Sequence, residues 1–333
     1  MFYINFFKVD GKNMKKIILK LRGGLGNQLF MIAYGIGIAK KNHAELFINI
    51  DDYQKYKVRN FELNQYLKFQ KKIQYDVDNS SKFRRIYYAI IYKVQQSLAY
   101  INRRCGKRFN LERMRPLYRF FGVDFAEHGD GKFNYFDKQT FFIFGYFQNL
   151  QYVDEVYKDI FDLVRNYKVE KNLLSNEKVT DYYQKIKTHE HSIAVSIRCG
   201  EDYQKLGWPI CSREYFFAGI NYLRKEYISE NLQIVIFSDD VEKAKIIFDD
   251  LKDKMDLIFI ENLDPSESLF LMNICNDYII SNSSFSWWGQ KLSDNNERTV
   301  IAPQYWFREK ENYKENGLYD SNFVVLDQEG KIV

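Results

Sequence analysis

Lys16–Lys41 reads KIILKLRGGLGNQLFMIAYGIGIAKK, and its three parts decide how the chain begins. Ile17, Ile18 and Leu19 form a short apolar run of strand type, which Arg22-Gly23-Gly24-Leu25-Gly26 interrupts. Asn27 is a candidate N-cap, and from Leu29 onward the apolar residues fall at helical spacing. Strand, glycine turn and helix follow in that order. Glycines accept positive φ and carry no Cβ, so such a turn lets backbone N–H groups approach an anion; a tight βα turn without a ligand has the same sequence. The spacing matches neither G-x-G-x-x-G nor a P-loop. Gly35 and Gly37 weaken the helix interior by about 1 kcal/mol each relative to Ala, which predicts close packing against another backbone.

Outward from this unit, Leu46–Ile50 predicts a second strand and hence a βαβ start. Arg59 and Glu62 follow as a charge pair, on a short element or in a solvated loop. Phe141–Asp154 begins as a buried strand and turns into a helix. Tyr167–Glu190 reads as a connecting helix and linker. From His191 a regular alternation sets in: strands at Ile193–Ile197, Ile234–Phe237, Leu257–Ile260, Tyr278–Ile280 and Thr299–Ala302, with helices between them. Alternation at these lengths predicts a doubly wound parallel sheet, whose ligands gather at the carboxyl ends of the strands. The residues there are Arg198-Cys199-Gly200-Glu201-Asp202, Ser238-Asp239-Asp240 and Ser281–Ser286. Arg198 offers a fork suited to phosphate, the serine cluster opens a helix and offers hydroxyls, and Asp239 or Asp240 could accept from a guanine edge.

A chain of 333 residues with 46% hydrophobic and 28% charged residues suits two globular domains. Four scattered cysteines without a C-x-x-C pair are expected to be reduced thiols of a cytoplasmic protein. Four histidines show no zinc-ligand spacing. Asp76-Val77-Asp78 is the chain's D-x-D, in polar turn-like sequence that offers poor support for a metal. No apolar run is long enough to span a membrane, and Met1–Asn13 lacks the parts of a signal peptide. Met14 leads directly into the first strand, so it is a candidate start, with the preceding residues of little structural weight.

Charge is not spread evenly. Residues 81–120 hold eleven Lys and Arg against Glu112 alone, a local +10 that leaves the remainder at −5 when the whole chain is +5. Ile86, Ile90, Val94 and Leu98 recur there on one helical face. Such a basic amphipathic helix fits an anionic membrane surface, or a helix packed on its own domain with a solvated basic face. No nucleic-acid recognition motif accompanies it.

Five ordered stretches carry a family resemblance: RGGLGNQLFMIAYG at Arg22–Gly35, GYFQN at Gly145–Asn149, SIRCGEDY at Ser196–Tyr203, FSDD at Phe237–Asp240 and SNSSFSWWGQKL at Ser281–Leu292. Together they resemble the family-eleven glycosyltransferases, the bacterial and animal α-1,2-fucosyltransferases. The resemblance implies an α/β, GT-B-like fold with two facing Rossmann-type domains: 14–165 on the acceptor side, with the basic insertion 81–120, and 190–307 on the donor side. It implies transfer of L-fucose with inversion, from GDP-fucose to a hydroxyl of an oligosaccharide or lipid-linked glycan, the galactose O2 first among candidates, in surface glycan synthesis. No metal cofactor is required on this reading. The residue that holds the β-phosphate falls on Arg198, the guanine readers on Asp239 and Asp240, and the phosphate loop on Asn282, Ser283, Ser284 and Phe285. Gly23, Gly24, Gly26, Asn27 and Gln28 face the pyrophosphate, and Asp202 or Glu201 is the candidate base. Ser196 and Cys199 stand where the pattern has histidine and a second arginine. Two alternatives are a related enzyme using another nucleotide sugar and an inactive glycan-binding homologue. A cytoplasmic location follows, with peripheral membrane contact through 81–120.

Overall fold

The computed structural model describes residues 2–4, 14–55, 60–63, 66, 82–105, 111–171, 173–201, 211–227, 231–307 and 317–333. The chain divides into two units, Met1–Leu163 and Val164–Val333, each built on its own sheet. The division lies inside the helix Tyr157–Lys171, and the helix Glu177–Lys187, expected as part of a linker, belongs to the second unit. Its Val179 and Ile186 are buried and Tyr183 stacks on Phe270, which gives an amphipathic helix its apolar contact.

In the first unit the strands β1 (Phe2–Ile4), β2 (Lys15–Lys20), β3 (Ala44–Asn49), β4 (Val123–Ala126) and β5 (Thr140–Gly145) form a sheet in the order β1-β3-β2-β5-β4. All neighbours are parallel except β1, which runs antiparallel to β3. Residues ahead of Met14 therefore contribute a strand, contrary to the small weight expected of them. Alternation on β2 separates two layers. Ile18, with Phe47, Phe142 and Phe144, meets Tyr88 of the helix Lys82–Cys105. Leu19 and Leu46 face the helix Leu25–Asn42, where Cβ atoms on Gly35 and Gly37 would come within 2.8 Å of Leu19 and 2.0 Å of Phe133. These glycines thus admit side chains, not the neighbouring backbone that the sequence suggested.

Arg115 shows a second departure. It was counted with the basic segment, yet it is buried, with Nε 2.8 Å and Nη2 3.1 Å from the two oxygens of fully buried Asp124. Tyr34 donates to the same carboxylate at 2.5 Å, and Arg119 adds a bond at 3.1 Å. The fork–carboxylate match explains why this charge can leave water: each lone pair of Asp124 meets a donor. Burial acts against the Arg115 charge, but Asp124 outweighs it and raises the guanidinium pKa; burial followed by Asp124 raises that of Tyr34.

The second unit is wholly parallel: β6 (His191–Ile197), β7 (Leu232–Ser238), β8 (Asp256–Ile260), β9 (Asp277–Ile280), β10 (Val300–Pro303) and β11 (Phe323–Leu326), in the order β11-β10-β9-β6-β7-β8. β11 lies beyond the expected limit at Phe307, pairing Phe323–Leu326 with Val300–Pro303. One face of this sheet packs Ile193, Val195, Ile234 and Ile236 against Tyr215, Phe216 and Ile220 of the helix Arg213–Glu226. On the helix Pro265–Asn273, Asp264 and Glu267 complete a capping box, which fixes its start.

Candidate functional site

In a doubly wound sheet the two strands that lead away in opposite directions leave a crevice between their carboxyl ends. In the second unit these strands are β6 and β9, hydrogen-bonded neighbours from which the order runs outward on each side. Arg198 follows one and Ser281 the other, and Ser281 N–H donates to Ser196 C=O at 3.0 Å. Topology therefore brings together two of the motifs singled out from the sequence.

Arg198 is about one-fifth exposed, and its Nη1 lies 3.2 Å from Asp239 Oδ2. The other oxygen of Asp239 accepts the N–H groups of Cys199 at 2.9 Å and Gly200 at 3.2 Å. One carboxylate thus clamps the cation and the loop that carries it. Asp240 caps the helix Val241–Ile247: Oδ1 accepts Lys243 N–H at 3.2 Å and Oδ2 pairs with Lys243 Nζ at 3.2 Å. The Lys243 N–H, then its ammonium, lowers the Asp240 pKa. Both carboxylates expected to read guanine are thereby engaged with their own chain.

Cys199 packs into the β7 turn, with Sγ 3.4 Å from Ser238 Oγ and from Asp240 C=O, and burial raises its thiol pKa. At neutral pH it is an uncharged group where the resemblance has an arginine. Ser196 sits inside β6, buried and in register with Phe237 and Ile280. Glu201 is exposed beside the clamped loop, and Asp202 lies outside the described residues.

The serine loop is built from below. Ser286 Oγ donates to Ser281 C=O at 3.2 Å and Ser283 C=O at 3.0 Å, Ser283 N–H reaches Ser281 C=O at 2.7 Å, and Asn282 Nδ2 reaches Trp306 C=O at 3.2 Å. Ser283 occupies the N-cap of the helix Ser284–Lys291 without a side-chain cap bond, and Ser283, Ser284 and Phe285 are half-buried. The N–H groups of Ser284 and Phe285 and the two serine hydroxyls stand at the positive end of a helix, an arrangement suited to an anion. Buried Trp287 anchors the helix through Nε1 to Leu318 C=O at 2.8 Å. Two supporting residues escaped the sequence reading. Tyr215 donates to the C=O groups of Ile280 at 2.7 Å and Ile301 at 3.2 Å, and Cys211 accepts the Asn282 N–H while burial pushes its thiol up to about 12. Neither lies in a motif, and only the folded sheet brings them under the loop.

The first unit has the corresponding junction between β2 and β5. Gly24, not Asn27, is the N-cap of the first helix, because Gly23 takes φ +78 and turns the chain ahead of the polar signal, so the helix starts three residues earlier. The Leu25 N–H donates to Glu62 Oε2 at 2.7 Å, so the chain's own carboxylate takes the place proposed for a phosphate. Buried Gln28 bonds Gly23 C=O at 2.8 Å, Asn60 C=O at 2.9 Å and Leu63 N–H at 2.7 Å. Asn27 accepts from Gln148 at 2.8 Å, and Arg22 lies 4.3 Å from the Tyr146 ring. Gly26 is buried inside the first helical turn. Asp76, Asp78 and Arg59 lie outside the described residues. Among the described residues there is no cluster of metal-ligating side chains, and no helix long and apolar enough to cross a membrane.

Comparison with known proteins gives these observations a family. The profile of Glycosyl transferase family 11 matches residues 16–326. An alpha-1,2-colitosyltransferase of Escherichia coli is 26% identical over 308 residues, covering 90% of this chain and 94% of that one. The Escherichia coli O-antigen biosynthesis glycosyltransferase WbnK is 26% identical over 309 residues, covering 86% and 93%. Among solved structures, the fucosyltransferase NodZ from Bradyrhizobium is 12% identical, with a TM-score of 0.47 over 84% of this chain and 93% of that one. The profile match takes in all of the second sheet, the first sheet apart from β1, and all five motifs, and the chain belongs to glycosyl transferase family 11.

Proposed function

We propose that the protein transfers L-fucose from GDP-fucose to a hydroxyl of an oligosaccharide or lipid-linked acceptor, with inversion at C1 and the galactose O2 as the receiving atom, in surface glycan synthesis. The observation that carries this reading is the position of Arg198, clamped by Asp239 at the β6–β9 junction beside the serine loop. The diphosphate leaves as the C1–oxygen bond breaks, and its growing negative charge meets Arg198, the hydroxyls of Ser283 and Ser284, and the N–H groups that open the 284–291 helix. Donors fixed in place before the reaction need no reorganisation as that charge appears. No divalent metal enters this scheme. Asp239 acts on the donor through Arg198, and Asp240 through the loop it caps. The acceptor oxygen attacks from the face opposite the diphosphate and loses its proton to a carboxylate, for which Glu201 and Asp202 are the candidates.

The colitosyltransferase and O-antigen relatives support an α-1,2 linkage and a surface-glycan acceptor. The same colitosyltransferase, with Cys199 in place of an arginine, favours a second reading in which another nucleotide sugar is the donor. A nucleoside-diphosphate-release assay, reading GDP from GDP-fucose and GDP-colitose and UDP from UDP-sugars, with galactose-terminated acceptors and linkage analysis of the product, separates the two. Preference for GDP-fucose supports the first reading and preference for a different sugar the second; glycan binding with no nucleotide release from any donor defeats both.

A further inference from the structure

The helix 82–105 presents two apolar faces, and among the described residues only one is covered. Tyr88 and Ile91 rest on the first sheet, and Tyr92 packs edge-on to Phe144. Ile86, Ile90, Val94 and Ile101 point the other way, each between 47% and 57% exposed, along roughly 22 Å of helix. Eight of the thirteen large exposed hydrophobic side chains among the described residues fall within 86–121. Phe120 and Phe121 extend the patch: they are 70% and 48% exposed, and Tyr87 of the same helix donates to Phe121 C=O at 3.0 Å. Exposed Lys93 and Arg104 border the stripe, Arg104 bonding the exposed Tyr100 hydroxyl at 3.1 Å. The helix contains six Lys and Arg and no Asp or Glu.

We propose that this face lies on an anionic lipid bilayer, with the Ile86–Ile101 stripe and the Phe120–Phe121 turn entering the headgroup region and the flanking cations meeting lipid phosphates. Charge selects this occupant. A second copy would set one all-basic helix against another, and like charges in contact oppose association. The core of a protein interface is depleted of charge, whereas single apolar residues alternating with cations and aromatics suit the interface of a membrane. Long cationic side chains reach the phosphates while their stems stay with the stripe. Apolar contact and basic charge are each weak alone, and here they share one helix.

The proposal stands apart from the transferase reading, since vesicle binding requires neither donor nor acceptor. The test is co-sedimentation of the full chain with vesicles of pure phosphatidylcholine and of phosphatidylcholine mixed with phosphatidylglycerol. Partitioning should be at least about tenfold stronger on the anionic vesicles and should weaken with added salt. Joint replacement Ile86→Ser, Ile90→Ser and Val94→Ser should lower it by about tenfold or more while thermal melting stays unchanged. Lys93→Glu and Arg104→Glu should each lower it about fivefold or more. Equal recovery on both vesicle types overturns the proposal, as does a triple variant that binds like the parent. A dimer that forms without lipid and separates on stripe substitution assigns the face to a second copy and overturns it too.

Discussion

The two sheets reach their junctions in different ways. At β2–β5 the crevice is closed by the chain itself: Glu62 sits on the first helix's opening N–H, buried Gln28 makes three bonds, and Arg22 lies over Tyr146. At β6–β9 the cation is steadied from one side by Asp239, and the helix start at Ser283 has no side-chain cap. Both junctions consist of a strand, a turn and a helix N-terminus. Among the described residues, what separates them is that the chain supplies a carboxylate to the opening N–H of the first helix and none to that of the second, and the proposed function accordingly puts its anion chemistry at the second.

That division is broken most directly by Arg198→Ala. Loss of a charge-assisted contact to a departing diphosphate should cost about 3–4 kcal/mol, a hundredfold to thousandfold in kcat, with little change in Tm. Near-normal turnover in this variant would move the chemistry elsewhere. The opposite result is expected from Gln28→Ala, which leaves Leu63 N–H without its acceptor and takes one donor each from the Gly23 and Asn60 carbonyls, which keep the Tyr53 hydroxyl and the Glu62 N–H. Stability should drop by about 2–3 kcal/mol, while turnover per folded molecule is retained. If Gln28→Ala lost turnover with no change in melting, the first junction would belong to the reaction.

Asp239→Asn sharpens the comparison. The amide keeps the shape but removes the charge facing Arg198, so the KM for donor should rise about tenfold with only a slight effect on melting. A fall in kcat with KM unchanged would instead mark Asp239 as acting only in the transition state.

How much of this the sequence revealed follows from where the deciding contacts lie. Strand, glycine turn and helix at Lys16–Lys41 and the alternation after His191 are local patterns, and they place β6 to β10 within a residue or two. The roles of Asp239 and Glu62 depend on partners 41 and 37 residues away, with nothing in the neighbouring sequence to announce them. Helical spacing identified an apolar face at Ile86, Ile90 and Val94 but could not say which of two faces the core would take. The aromatic face prevailed: Tyr88 lies 4.8 Å from Phe142, nearly parallel to it, an arrangement the smaller aliphatic side chains could not match. Arg115 and Arg119 looked like surface charge because their partner Asp124 lies beyond the basic segment, on β4.

The smallest expected effect concerns acid. Asp130 accepts from Arg115 Nη1 at 3.1 Å and from Tyr152 at 3.0 Å. Burial alone would raise its pKa, but Arg115 and Tyr152 outweigh that and hold it below the ordinary 3.8. A lowered folded-state pKa contributes stability that is complete above the unfolded value, near 3.8, and is lost as pH falls through the folded value. Because the Asp130 side chain is 54% exposed, water screens the pair and its share stays under about 1 kcal/mol. Asp130→Asn should therefore lower the melt at pH of about 7 by no more than this small share, and the difference from the parent should close as pH falls below about 4. Parent and variant curves that coincide or stay equally far apart at every pH would show that the Arg115–Asp130 pair contributes no pH-dependent share of the stability.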